Sequence, residues 1–387
     1  MFKYCFVTTV YNTLQGFVVA LAEYLHDNED CEIYFMCNYD KLFVESLPEY
    51  IHFIPITMKR GIDISGFFAL REMMRIFRRE KFDIVQYSTP NAACYASIAA
   101  RLEKIPVRLY CQWGLVFESF SGIKRKLFMR EEKLVCKNST WIEPDSNGNL
   151  QYCRSLGFYD DSKSSVVLNG SASGVSLNKF NFSKKGEYRQ EIRNKYKIPE
   201  RAFVFGFVGS LTGDKGTNEL LKAGKEVLEK NPDIYLLLVG STEKEYSLDK
   251  KLFKWAESEK RVILPGLTNY AEKYYSAMDC YVMPSYREGF GTTVIEAGAM
   301  GLPVITTNIP GPTDAIINGY NGLVVEKKNA EQLKEAMLKI YESPGICDEY
   351  GAVGLQNVRE KYDQKVLFKA ILEDRKRLLK EVAEKQK

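Results

Sequence analysis

The sequence predicts an α/β fold built as two Rossmann-like domains facing a central cleft. Three observations predict it. The chain has 387 residues, more than one ordinary domain holds. Short, near-continuous apolar runs alternate with helical segments, the pattern of parallel strands buried on both faces. This grammar begins twice, at Tyr4 and again at Ala202.

In the first half, residues 4–8 are an apolar strand, and the polar turn 9–15 leads to Gly16. A helical run follows, with Phe17, Ala20, Leu21 and Tyr24 on one face. Residues 31–36, 82–86 and 107–111 read as further strands. Leu70, Met73, Met74 and Phe77 stand at i, i+3, i+4 and i+7, an amphipathic helix. Residues 91–102 are small and apolar, a helix packed closely on a sheet. The second half opens with strand 202–208, the turn 209–216 and a helix from Thr217. Strands at 234–239, 262–264, 280–283, 304–306 and 323–325 follow, with helices between most of them. The Gly/Ser/Asn-rich stretch 168–174 suits a linker. The expected division is therefore 1–168, 169–365 and a charged C-terminal helix over 366–387. Its apolar side, Leu367, Ile371, Leu378 and Val382, can pack on either half.

Composition excludes several functions. Hydrophobic residues make up 45% and charged residues 27%, ordinary for a globular chain. A net charge of +4 is too balanced for dedicated nucleic-acid binding, so no nucleic-acid partner is expected. Two histidines, His26 and His52, and nine dispersed cysteines without a CxxC pair leave little material for a zinc site or a Ser-His-Asp triad. Scattered cysteines fit a reducing compartment. The first residues lack the pattern of a signal peptide, and no run of about 18 apolar residues occurs. A cytoplasmic location is the expectation.

The densest chemistry lies at residues 284–297, where Glu288 and Glu296 bracket a Gly-x-Gly loop between a strand and a helix. Amides of Gly291, Thr292 and Thr293 at the helix start would attract a phosphate. The carboxylates suit vicinal hydroxyls of a ribose or hexose. The same spacing also fits a solvated Glu288 and a first-turn Glu296 complementing the helix dipole. In the turn 209–216, glycines let the backbone approach a pyrophosphate and Lys215 can neutralise it, although a plain strand-to-helix turn fits equally. Gly16 either opens the site from the other half or merely starts a helix. Two basic-apolar stretches complete the inventory. One surrounds 70–77 with Arg71, Arg75, Arg78, Arg79 and Lys81. The other runs from Phe120 to Lys137. They fit an anionic membrane surface or a solvated basic helix face.

Together these pieces resemble the family-4 retaining glycosyltransferases of the GT-B fold, in their capsule, O-antigen and lipid-linked-glycan branch. The pair Glu288 and Glu296 matches that family's E-x7-E motif, residues 209–216 its phosphate-binding turn, and 166–180 its interdomain segment. Gly311-Pro312-Thr313-Asp314 resembles its G-x-x-E stretch, with Asp for Glu. The resemblance implies roles. Glu288 contacts donor-sugar hydroxyls and Glu296 holds the ribose. Amides of Gly289, Phe290, Gly291 and Thr292 face sugar and pyrophosphate. Lys215 binds the diphosphate, and Gly16 keeps the acceptor side open. It also implies a nucleoside-diphosphate sugar donor, UDP foremost, with no cofactor and no metal. The acceptor would be a glycan or a polyprenyl-diphosphate-linked glycan, met at the inner face of the cytoplasmic membrane. Two departures stand out. Ser210 replaces the family's usual arginine, with Arg287 or Arg261 as candidates to fill its place. The strand end Cys111-Gln112-Trp113-Gly114 lacks a histidine, leaving Gln112 or Trp113 as candidate sugar contacts. Alternatives are a GT-B sugar-nucleotide epimerase, disfavoured by the scarcity of histidine, and a nucleotide-sugar-binding protein without turnover. A dehydrogenase is disfavoured because no G-x-G-x-x-G follows a first strand.

Overall fold

The structure is a computed structural model that describes residues 1–59, 61, 64–242 and 248–385. It divides into two compact units, Met1–Ser173 joined by the chain from Lys365, and Gly174–Gln364. The chain enters and leaves the second unit side by side. Val175 N–H donates to Tyr362 O at 2.8 Å, and Gln364 N–H to Val175 O at 3.0 Å.

The first unit holds β1 (Phe2–Val7), β2 (Cys31–Cys37), β3 (Ile51–Pro55), β4 (Ile84–Tyr87), β5 (Val107–Gln112) and β6 (Trp141–Pro144). All pair in parallel, in the order β3-β2-β1-β4-β5-β6. Burial on both faces explains why β1 reads as an unbroken apolar run. Cys5 and Val7 join one core with the helices of residues 64–80 and 90–102, while Tyr4 and Phe6 join another. Each such side chain contributes about 1.5–3 kcal/mol on burial.

That second core is closed by the C-terminal helix, Gln364–Lys385. Leu367, Phe368, Ile371, Leu372 and Leu378 pack against β1, β2 and β5. Residues 386 and 387 of the expected tail lie outside the described residues. Arg375 of this helix is 1% exposed and forks onto Glu143 of β6, with Nε donating to Tyr4 Oη at 2.9 Å. This explains why β6 escapes the apolar pattern. Its glutamate is neutralised by an arginine 232 residues away. β3 escapes it because an edge strand tolerates His52 and Pro55.

The second unit repeats the plan. It holds β7 (Phe203–Val208), β8 (Ile234–Val239), β9 (Val262–Gly266), β10 (Cys280–Met283), β11 (Val304–Thr307) and β12 (Gly322–Val325). They pair in parallel in the order β12-β11-β10-β7-β8-β9. Counted from its own first strand, this is the strand order of the first unit, the doubly wound Rossmann order. Phe205 and Phe207 face one core, and Val204 the other.

Candidate active site

In such sheets a ligand sits beyond the strand carboxyl ends where the order reverses. In the second unit that point lies between β7 and β10. The loops leaving these two strands are the two the sequence marks, 209–216 and 284–291.

They are bound to each other. Gly216 takes a left-handed φ of 71°, and a Cβ there would stand 2.0 Å from Pro284 O, so only glycine lets the loops close. Tyr286 N–H donates to Asp214 O at 2.8 Å. Two ion pairs cross between consecutive residues. Lys215 Nζ contacts both Glu288 oxygens, at 2.7 and 2.9 Å. Arg287 Nη2 stands 3.1 Å from Asp214 Oδ2. Thr212 Oγ1 donates to Asp214 Oδ1 at 2.6 Å and orients it. Ser210 lies between two residues that bond the end of β8, Gly209 to Val239 O and Leu211 to Ser241 O. It contributes a hydroxyl and no charge.

The helix after β10 spans Thr292–Ala299 and begins at Gly291, whose left-handed φ of 82° turns the chain into it without a side-chain cap. The initial amides, Thr292 and Thr293, are thus presented at the positive end of the helix. Phe290 is buried against Tyr362, ring centroids 5.3 Å apart, so its side chain anchors the loop and only its backbone can meet a ligand.

Glu296 stands within this helix. Tyr275 Oη donates to its Oε2 at 3.0 Å and also to Thr293 O at 3.3 Å. Desolvation pushes the Glu296 carboxyl up to about 7, against the opposing effects of the Tyr275 hydrogen bond and the Lys179 charge. The Glu272 charge adds to the rise. Glu288 and Glu296 therefore differ in environment, one ion-paired and the other held by a phenol in a desolvated site. Sequence reading missed Tyr275, Lys179 and Glu272. Nothing in their spacing links them to Glu296; the packing of the helix Ala271–Ala277 brings Tyr275 and Glu272 to it, and Lys179 acts on it from the segment before β7.

In the first unit the order reverses between β1 and β4. Thr9 N–H donates to Thr89 Oγ1 at 3.0 Å, the two hydroxyls lie 2.9 Å apart, and Thr89 takes a positive φ of 66°. Gly16 does not follow a long polar turn. The helix Tyr11–Phe17 starts earlier, and Gly16 is an exposed residue within it. A Cβ there would meet nothing within 4 Å, so the protein's own packing leaves that space open. Gln112 corrects an expectation. It is fully buried, its amide nitrogen donating to Glu132 and its oxygen accepting from Tyr159 Oη at 2.8 Å, which removes it from sugar contact. Trp113 packs on Phe17 with centroids 5.4 Å apart.

The basic-apolar helices keep part of their apolar side outward. Phe67 and Phe68 of the helix Ile64–Glu80 are exposed. So are Ile123 (88%), Leu127 and Leu134 of Gly122–Asn138, the last three on one stripe. Lys124, Lys126, Arg130, Lys133 and Lys137 are exposed beside that stripe. Among the described residues no helix is long and apolar enough to cross a membrane.

Comparison with known proteins follows the same lines. Residues 188–356 match the family described as glycosyl transferases group 1, and residues 5–143 the family described as glycosyl transferase 4-like. A capsular polysaccharide biosynthesis glycosyltransferase of Staphylococcus aureus is 31% identical over 325 residues, 84% of each chain. An Escherichia coli UDP-Gal:alpha-D-GlcNAc-diphosphoundecaprenol alpha-1,3-galactosyltransferase is 28% identical over 330 residues, 83% of each chain. Among solved structures, Anabaena HepE in complex with UDP and glucose superposes with a TM-score of 0.79 at 17% identity, covering 97% of this chain and 99% of that one.

Proposed function

This chain belongs to the group 1 glycosyl transferases, and on that premise we propose that it moves a hexose or N-acetylhexosamine from a UDP-sugar to a lipid-linked or polysaccharide acceptor, with retention of configuration and without a metal ion. The observation that carries this reading is the meeting of Lys215, Glu288 and the uncapped helix at Thr292 where the strand order reverses. The activities of the Staphylococcus and Escherichia relatives support the acceptor class. The UDP complex of the structural neighbour supports the nucleotide.

In this reading the donor diphosphate lies against residues 209–216 and the amides of Gly291 and Thr292. Lys215 turns from Glu288 to the phosphate, and the released Glu288 accepts hydrogen bonds from the sugar hydroxyls. Gly289 and Phe290 supply backbone contacts, and Glu296 holds the ribose. The bond from the anomeric carbon to the phosphate oxygen breaks, and the acceptor oxygen bonds the same face. The acceptor's proton passes to the departing phosphate oxygen. The protein's task is to stabilise charge growing on that diphosphate. Lys215 and the helix amides meet it.

The lipid-linked acceptor gives the exposed stripe of Ile123, Leu127 and Leu134 a use. With its flanking lysines it would lie on the anionic inner face of the cytoplasmic membrane, each Lys or Arg contributing about 1 kcal/mol near the surface.

The test is a panel of UDP- and GDP-sugars incubated with membrane lipid extracts, with product configuration read by NMR. Transfer from a UDP-sugar with the anomeric configuration kept is expected. Interconversion of UDP-sugars without acceptor would replace the reading by an epimerase.

A further inference from the structure

We infer that Arg287 is the second cation of the diphosphate site, parked on Asp214 until phosphate displaces it. The inference rests on placing the donor diphosphate at residues 209–216. That turn carries one positive and one negative side chain, Lys215 and Asp214, and so has no net charge of its own. Lys215 already shares its charge with both oxygens of Glu288. A diphosphate brings more than one negative charge, and Ser210 offers none in return.

Arg287 is placed to answer this. Its Nη2 stands 3.1 Å from Asp214 Oδ2, one residue from Lys215, and the bond from Tyr286 N–H to Asp214 O fixes the two loops in register. Both partners of this ion pair are more than a third exposed, so the pair is weak and Asp214 yields readily. The guanidinium also has an N–H to spare. Arg287 Nε is buried and has no hydrogen-bond partner among the described residues. A buried donor without an acceptor is uncommon, and here it belongs to the side chain whose planar fork best matches phosphate oxygens. Arg261, the other arginine offered by the sequence, is spent elsewhere. It binds Glu259 and the carbonyls of Leu228 and Asn231, just before β9 and at the end of the sheet opposite the site.

The experiment is calorimetric titration of the full chain with UDP, and with inorganic pyrophosphate as a probe that needs no base, at low and at raised salt. Arg287→Gln should weaken both about tenfold, the loss of one charged hydrogen bond, and flatten the salt dependence. Arg287→Lys should recover part of it, and uridine binding, followed by ligand-observed NMR, should not change. Asp214→Asn gives the opposite sign. Freeing Arg287 should tighten UDP, whereas a pair that only latched the loops would make this variant bind as poorly as Arg287→Gln. That latter result, or an Arg287→Gln protein within twofold of the parent while Lys215→Ala is weakened, overturns the inference and leaves the diphosphate site standing. A Lys215→Ala protein with unchanged affinity for both probes removes the diphosphate site and this inference together.

Discussion

Lys215→Ala probes the proposed diphosphate site through its one lysine, which is paired with Glu288. Lys215 holds Glu288 at 2.7 and 2.9 Å, with side chains 32% and 14% exposed. A part-buried pair lies between the roughly 1 kcal/mol of an exposed pair and the roughly 3–5 kcal/mol lost on breaking a buried one, so the fold of the variant is checked by thermal melting before its kinetics are read. Its kinetic cost is a separate quantity. A hydrogen bond to a charged group is worth roughly 1.5–3 kcal/mol. Losing it from the leaving diphosphate should lower kcat/KM by about tenfold to about a hundredfold, mostly in kcat because the charge grows in the transition state. Removing the Lys215 charge adds a second effect, since the Glu288 carboxylate and the donor phosphates then repel with less positive charge between them. Glu288→Gln should therefore act in the opposite sense on binding, holding or tightening UDP while turnover falls. The assay is steady-state release of UDP from the accepted donor, alongside calorimetric UDP binding, for both variants. Unchanged turnover and UDP affinity in Lys215→Ala would refute the reasoning and take residues 209–216 out of the site.

Other consequences follow from particular contacts. If Glu296 accepts the donor's ribose hydroxyls as proposed, binding favours its ionised form, and burial raises this carboxyl to about 7. UDP affinity should therefore strengthen as pH rises through that value, with proton release, and Glu296→Gln should lose that component. Stability runs the other way. The folded state keeps this proton from about 4.5, the ordinary value, up to about 7, so the contribution is lost as pH rises through the window, and urea titrations of Glu296→Gln should lack that slope. Arg375→Met leaves Glu143 buried without its partner and should cost about 3–5 kcal/mol in urea unfolding; a loss under about 1 kcal/mol would detach the C-terminal helix from the core of the first unit. Activity should survive EDTA, and its loss with recovery on Mg²⁺ or Mn²⁺ would contradict the metal-free reading. Binding to anionic vesicles should fall with salt and with Leu127→Glu, and equal binding to neutral vesicles would contradict the charge-led docking.

The strands of the second unit were legible because burial on both faces writes them as plain apolar runs; Ile234–Val239 and Cys280–Met283 match residue for residue. Strands compensated from afar were not. Glu143 breaks the run of β6, and its partner Arg375 looks like any surface arginine until the C-terminal helix is laid on the sheet. The site followed the same division. Glu288, Glu296 and Lys215 stand out by spacing around glycines, and the close contact of Gly216 with Pro284 explains why glycine is there. The supports of Glu296 come from the helix of Tyr275 and Glu272 and from Lys179, which no local pattern joins to it. Gln112 shows the reverse error, since a polar residue at a strand end reads as a sugar contact until its amide is found bonded inward on both sides.

The central claim is that one site divides the donor between two glutamates, sugar at Glu288 and ribose at Glu296. Paired measurement of kcat and UDP affinity in Glu288→Gln and Glu296→Gln tests it most directly. The account predicts a large loss of kcat with UDP affinity kept for Glu288→Gln, and a weakening of UDP and UDP-sugar together for Glu296→Gln. Near-parent turnover in both variants, or the same loss of UDP affinity in both, would contradict it.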